Sequence, residues 1–443
     1  MKTPQPTGHR ERVLLIGVGK KRAPHVPGIA DLRSEREGLV ELEELARSAG
    51  AEVVATIFQQ RESLDPATVV GRGKLEEIRA EAHARNAPLL IFDRNLTPVQ
   101  QRNIERATEC RVIDRTQLIL DIFARHARSR EGQLQVELAQ LTYLLPRLAG
   151  RGVELSRLGG GIGTRGPGEQ KLETDRRRIR ERIRRIRESI EKIRRQRSVH
   201  RRARQEVPLG TVALVGYTNA GKSTLFNALT HADVLVSPRM FATLDPTIRA
   251  IRLPSNRRVL LSDTVGFIRD LPPGLIAAFR ATLEEVQQAA VLLQVSDISN
   301  PRHAEQDVEV EKVLAELGVA DRPRLRVFNK IDRLSEADRA ALHRDNGNLY
   351  ISALHGTGLD VLRQRLDEVL PVDPLVHLSL RLPASDGRTL ALIHALGHVQ
   401  RFEIQDGFLL LDAEVPASLA RRLQDFSVTQ FAESRVLPFG GTN

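Results

Sequence analysis

Gly216, Tyr217, Thr218, Asn219, Ala220, Gly221, Lys222, Ser223 and Thr224 carry the glycine, lysine and hydroxyl spacing of a phosphate-binding loop. The loop follows a short apolar run, 211–215, and leads into the apolar helix start at Leu225 and Phe226. Strand, glycine turn and helix N-terminus together aim backbone N–H groups at phosphate oxygens. Lys222 then reaches the β and γ oxygens, and the Ser223 hydroxyl takes a place on Mg2+. Such a loop accepts ATP and GTP alike, and the run VFNKID over 327–332 separates them. Asp332 can accept hydrogen bonds from both the N1–H and the 2-amino group of guanine, a pairing adenine does not offer. Discarding a buried bidentate pair costs several kcal/mol, which is strong discrimination. Asn329, with Lys330 beside it, would meet the other edge of the base. Ser352, Ala353 and Leu354 follow a short strand at 349–351 and supply a backbone N–H to the guanine oxygen. Asp263, Thr264, Val265 and Gly266 complete the set, the carboxylate for the magnesium shell and the Gly266 N–H for the γ-phosphate. Four motifs in this order predict GTP binding.

These residues need a scaffold, and the pattern of residues 209–372 is the required alternation of short apolar strands with helices. Residues 10–115 alternate in the same way, with strands expected at 13–16, 53–58, 89–92 and 111–113 and helices near 34–49, 74–86 and 98–107. Their one phosphate-like feature is Gly71-Arg72-Gly73-Lys74 before a helix. It reads either as a second anion site or as an ordinary turn. Between them, 116–205 changes to long helices. Leu134, Leu138, Leu141, Leu145 and Leu148 recur at spacings of 4, 3, 4 and 3, and Ile179, Ile183, Ile186, Ile190 and Ile193 repeat them. Neither seam can be buried alone, so the two helices should zip into an antiparallel hairpin, each exceeding about 40 Å at 1.5 Å per residue. The remaining stretch, 373–443, reads as strand, helix, two strands around Asp406-Gly407 and a helix at 417–426, a small α+β unit. The fold class expected is therefore α/β: a P-loop G domain preceded by a small α/β domain and a helical hairpin, with a small α+β domain after it.

Charge singles out the hairpin. The 443 residues carry a formal +11, yet 176–204 alone holds 15 Arg and Lys against 3 Asp and Glu, a net +12. A local block of this kind is the footprint of a phosphate-rich polymer, or else a solvated helix face. The loop joining the helices, 150–168, has eight glycines in nineteen residues. With Arg151, Arg157, Thr164 and Arg165 it suits close backbone approach to folded RNA. Arg176, Arg177, Arg180 and Arg184 continue that surface onto the second helix. Hydrophobic content of 41% and charged content of 28% are globular figures, and no apolar run approaches the ~18 residues of a membrane span. A cytoplasmic monomer without a membrane partner is expected. One cysteine, Cys110, fits a reducing compartment. No metal cluster stands out among the 12 histidines, and no nucleophilic triad is visible.

The G motifs resemble those of translation-factor-class GTPases of the Obg and HflX kind. FATLDPT over 241–247 and GGGIGTRGPGE over 159–169 resemble the HflX family in particular. The resemblance covers about 10–370. It implies binding to the large ribosomal subunit and its rRNA, where family members act on stalled or stress-damaged ribosomes and can split them. It implies that Thr243 joins Ser223 on Mg2+ only when the γ-phosphate is present, and that the glycine loop approaches the peptidyl transferase centre. Two details bear on rate. Phe267 stands where a water-orienting glutamine might, so intrinsic hydrolysis should be slow and should accelerate when the ribosome orders the switches at 236–247 and 263–272. Asn219 matches the asparagine of potassium-assisted GTPases, with a loop-shaping role as the alternative. Lys222, Thr243, Gly266 and Asn219 are thus the expected catalytic set.

Two readings compete: a ribosome-directed GTPase switch, and an RNA-binding or remodelling protein that uses nucleotide mainly as a conformational ligand. A membrane-surface role fits poorly, because the arm's isoleucine seam is needed within the hairpin and leaves no apolar face for lipid.

Overall fold

Val13, Leu14, Leu15 and Ile16 are consecutive and all fully buried, which requires a strand covered on both faces. They lie in β1 (Arg12–Lys20) of the computed structural model, which describes residues 10–20, 30–148, 167–205, 210–230, 240–241, 246–255, 257–269, 280–342, 348–370 and 375–428. With β2 (Glu52–Arg61), β3 (Leu89–Phe92) and β4 (Arg111–Asp114), β1 forms a parallel sheet ordered β2-β1-β3-β4. The crossovers are α1 (Ala30–Ser48), α2 (Arg72–Ala84) and α3 (Pro98–Thr108), the last opened by a capping box between Thr97 and Gln100. The expected strands and helices of this unit are all present. At the start of α2, Gln59 takes the Gly71 N–H at 3.2 Å and Lys74 pairs with Glu77 at 2.7 Å. These two groups therefore have partners within the chain, as an ordinary turn would give them.

The long-helix region departs from expectation at one point. Ala127 is extended and the Ser129 hydroxyl accepts the Gly132 N–H, so a helix ends and a new one is capped. α4 (Arg115–His126) therefore packs into the core of the first sheet through Ile119, Ile122 and Phe123. α5 (Arg130–Arg147) is the partner of α6 (Pro167–Gln205). At 18 residues α5 spans about 27 Å, short of the expected length, whereas the 39 residues of α6 span about 58 Å. The seam is buried deepest at Leu134, Ile183 and Ile186, and Glu137 of α5 receives a bidentate pair from Arg182 at 2.7 and 2.9 Å.

The nucleotide motifs sit on a six-stranded sheet ordered β10-β9-β8-β5-β7-β6. Its strands are β5 (Gly210–Val215), β6 (Thr247–Arg252), β7 (Arg258–Asp263), β8 (Val291–Asp297), β9 (Arg324–Asn329) and β10 (Asn348–Tyr350). All neighbours are parallel except β6 and β7. Strand order reverses at β5, which has β8 on one side and β7 on the other, so a crevice opens beyond its carboxyl end. The loop of 216–221 fills that position and α7 (Lys222–Thr230) follows. α8 (Arg280–Gln288), α9 (His303–Glu316), α10 (Glu336–Ala341) and α11 (Leu359–Val369) complete this unit.

Residues 375–428 form β11 (Leu375–Pro383), α12 (Gly387–Leu396), β12 (His398–Gln405), β13 (Phe408–Pro416) and α13 (Ala417–Arg422). The sheet order is β11-β13-β12, and the β12–β13 hairpin turns at Asp406 and Gly407, both with positive φ. Among the described residues no helix is long and apolar enough to cross a membrane.

Candidate nucleotide site

The loop after β5 is held from both sides. Lys222 is buried and its Nζ donates to the carbonyls of Gly216 at 3.1 Å and Tyr217 at 2.7 Å, curling the loop around the ammonium. From the other side, Lys330 Nζ donates to Asn219 O and Asp297 Oδ2, each at 2.6 Å. Asn219 itself takes a left-handed backbone, φ 62°, a conformation that asparagine tolerates better than most residues. That conformation is a sufficient local reason for its identity. Ser223 Oγ donates to Asp263 Oδ2 at 2.7 Å, bringing a hydroxyl from the first turn of α7 and a fully buried carboxylate at the end of β7 together. These are hard oxygen donors of the kind Mg2+ prefers, so the pair fits the ion. Thr264 Oγ1 anchors the following turn on Leu214 O, and Val265 is buried. Thr243, the other expected metal ligand, lies outside the described residues.

Around the base seat, Ser352 Oγ donates to Asp332 Oδ1 at 2.5 Å. Partial burial raises the pKa of Asp332, but the Ser352 bond and nearby positive groups outweigh it, so the carboxyl stays below its usual range. An ionised Asp332 accepts hydrogen bonds only, as guanine requires. Asn329 lies between the two loops. Its Nδ2 donates to Ala220 O and its Oδ1 accepts the Ala353 N–H, both at 3.0 Å. The side chain therefore braces the phosphate loop against the 352–354 loop through its oxygen and one of its two amide N–H groups, which leaves the second N–H for the base edge. The Ala353 N–H, one of the donors expected for the guanine oxygen, is taken up by that brace. Leu354 stands exposed at the rim.

Burial pulls the Lys222 pKa down to about 8, with Asp263 opposing and Lys330 adding to the fall. Phosphate oxygens favour the ammonium, so nucleotide binding raises that pKa and takes up protons. We expect calorimetry in buffers of different ionisation enthalpy to report uptake of about half a proton at pH 8, and affinity to fall as pH rises above 8. Zero uptake would show that Lys222 is fully charged before nucleotide arrives.

Phe267 is buried, so its ring does not stand in the site as a water-orienting glutamine would. Its backbone pairs with the phosphate loop instead: Phe267 N–H donates to Gly216 O at 3.0 Å, and Thr218 N–H donates to Phe267 O at 2.7 Å. On the arm, Arg177 and Arg184 are exposed. Arg180 is exposed too but reaches Glu173 at 3.3 Å, and Arg176 is half-buried. The charged face is thus partly offset by acids of its own helix, as a solvated surface would be. Arg151, Arg157, Thr164 and Arg165 lie outside the described residues. Sequence reasoning overlooked Glu41 and Arg269, which meet the hydroxyl of Tyr217 beside the loop, and Asp93 and Arg115, which link to them. Asp93 and Arg115 each directly follow a strand of the first sheet, the end at which α/β sheets gather their polar groups.

A phosphate loop at the topological switch point, an aspartate held for guanine and a buried carboxylate beside the loop serine define a P-loop GTPase. Residues 36–124 match the family described as GTP-binding GTPase N-terminal, 126–204 the GTP-binding GTPase middle region, and 211–330 the 50S ribosome-binding GTPase. GTPase HflX of Caldanaerobacter subterraneus subsp. tengcongensis is 47% identical over 93% of this chain and 94% of its own. GTPase HflX of Escherichia coli is 45% identical over 88% and 92%. A solved GTP-binding protein of Sulfolobus solfataricus in complex with GDP is 26% identical, covering 81% of this chain and 98% of that one, with a TM-score of 0.42. The chain belongs to the HflX family of GTPases, and hydrolysis of GTP to GDP and phosphate is its activity.

Proposed function

We propose that this GTPase is a ribosome-directed switch, in which bound GTP sets the pose of the arm on the large subunit and hydrolysis releases it. The observation that carries the reading is the path of α6. It runs without a break from Pro167 in the basic hairpin to Gln205, and its Arg194 reaches Glu284 of α8 in the nucleotide-binding unit at 3.6 Å. The description of the matched G-domain family, 50S ribosome-binding GTPase, supports the same partner.

In this reading the N–H groups of 219–224 and the ammonium of Lys222 hold the β- and γ-phosphates, while Asp332 selects guanine. Ser223 and Thr243 would hold Mg2+, with Asp263 supporting Ser223, and a bound ion would supply positive charge to the phosphate oxygens. The Gly266 N–H meets the γ-phosphate. With Phe267 buried, the chain supplies no glutamine to orient the attacking water, so turnover is slow until large subunits order the switches. Asn219 is the candidate ligand for K+; faster hydrolysis in KCl than in NaCl supports that role, and equal rates leave it the loop-shaping one. The glycine loop at 150–168 and exposed Arg177 and Arg184 contact rRNA. The working division is 10–115, 116–205, 209–372 and 373–443, acting in the cytoplasm as a monomer on stalled ribosomes.

Co-sedimentation tests partner and switch together. Large subunits should retain the protein with a non-hydrolysable GTP analogue and release it with GDP. Equal retention by any structured RNA would instead favour the RNA-remodelling alternative. Arg177→Ala with Arg184→Ala should weaken binding and lower the salt slope by about two, one for each phosphate no longer neutralised.

A further inference from the structure

Among the described residues Arg115 is the largest side chain that the fold buries completely, at 1% exposure, and none of the nucleotide motifs accounts for it. It sits where the first sheet meets the G domain. Its Nη1 donates to Asp93 Oδ1 at 2.9 Å and its Nη2 to Glu41 Oε1 at 2.5 Å. The same Glu41 oxygen accepts the Tyr217 hydroxyl at 3.0 Å, and that hydroxyl accepts the Arg269 N–H at 2.9 Å. Arg269 also reaches Asp93 Oδ2 at 3.2 Å. The network thus runs from the N-terminal sheet and α1, through the second residue of the phosphate loop, to the segment that follows Gly266. Burial disfavours the charge of Arg115, and the two carboxylates more than compensate.

Apolar packing follows the same route. Val265, Phe267 and Ile268 belong to one continuous core with Leu42, Leu45 and Phe123 of the N-terminal unit. On the first switch, Met240 N–H donates to Ser48 Oγ at 3.0 Å, and the Phe241 ring lies 4.4 Å from that of Phe123. Gly38 of α1 faces Asp93 and Arg269, where a methyl would come within 3.0 and 3.1 Å of their polar atoms.

Docked in this way, the second switch lies low over the phosphate loop. A methyl on Gly266 would meet Thr218 Cα at 2.8 Å and Lys222 Nζ at 2.9 Å, and the Thr218 N–H is spent on Phe267 O. A terminal phosphate between Lys222 and Gly266 needs this segment to lift. Lifting it draws Arg269 away from Tyr217 and Asp93. We infer that Tyr217, Glu41 and Arg115 form a latch through which the N-terminal sheet holds the second switch over the phosphate loop, so that this sheet and the γ-phosphate compete for one segment. GDP makes no such demand, so the latch favours GDP over GTP. A buried charge network suits the task because losing one partner strands a charge, which makes release all-or-none rather than gradual. Tyr217 is a positioning residue here, acting through Arg269 on Gly266.

The inference rests on the GTPase activity and not on the ribosome, so its test omits ribosomes. Affinities for GDP and for a non-hydrolysable GTP analogue are measured for Tyr217→Phe, Glu41→Gln and the double variant. Each single change should shift the ratio toward the analogue by about fivefold, the worth of one hydrogen bond, and the double variant should go little further. Gly38→Ala wedges the interface from the N-terminal side, touches no nucleotide-binding group and should shift the ratio the same way. A merely structural role would lower the melting temperature and move both affinities alike. An unchanged ratio, or one moved toward GDP, overturns the latch.

Discussion

Asp332→Asn is expected to leave the protein folded and to lower its affinity for GTP by roughly a hundredfold to a thousandfold, while creating binding of xanthosine triphosphate. The carboxylate accepts from two guanine donors, and an asparagine can accept from only one, leaving an N–H facing an N–H. The loss of a charged bidentate pair in a half-enclosed seat is about 3–4 kcal/mol, which sets the scale of the change. Xanthine carries a carbonyl in place of the 2-amino group, so the new amide N–H regains a partner. Ser352 can still donate to the remaining oxygen, as it now does to Asp332 Oδ1, so the loop need not rearrange. Titration with GTP, ATP and XTP reads the result directly. An Asp332→Asn protein that kept full preference for GTP would remove Asp332 from the base seat.

Gly216→Ala should abolish nucleotide retention and lower the melting temperature by several degrees. Gly216 has φ +151°, and an added Cβ would fall 2.2 Å from Val295 O. That neighbour is main chain of the adjacent strand β8 and cannot swing aside, so the loop or the strand must move. The strain and displacement together should cost on the order of 3 kcal/mol or more. Gly73→Ala is the contrasting change. It lies in the first turn of α2 with nothing within 4 Å, and alanine there should add roughly 0.5–1 kcal/mol of stability. Thermal unfolding of the two variants separates a glycine demanded by close approach from one that is not.

The local pattern of this chain was informative because its chemistry is local. The phosphate loop is nine consecutive residues, and Asp332 and Ser352 each fall in short motifs whose backbone form their residue types dictate. The apolar runs of β1, β3 and β4 are continuous because both faces of that sheet are covered. What escaped notice depended on distant partners. Asn329 was legible as a base contact from its motif, but its second task, bracing Ala220 and Ala353, more than a hundred residues and twenty-four residues away, was not. Arg115 read as one arginine among many, since nothing in its neighbours reveals that Glu41 and Asp93 converge on it. The break before α5 was missed for a smaller reason. Ser129 is an N-cap candidate, but no acidic or amide residue follows at the third position to mark it, because Gly132 stands there.

One mechanical consequence follows from the pin between Arg194 and Glu284. From Arg194 back to Pro167, α6 extends about 40 Å beyond this fulcrum at 1.5 Å per residue. Tilting the helix by about five degrees there would swing its far end by about 3–4 Å, the width of a hydrogen bond or a stacked base. Displacements too small to notice at the phosphates would therefore be magnified until whole hydrogen bonds are made or broken at the distal end.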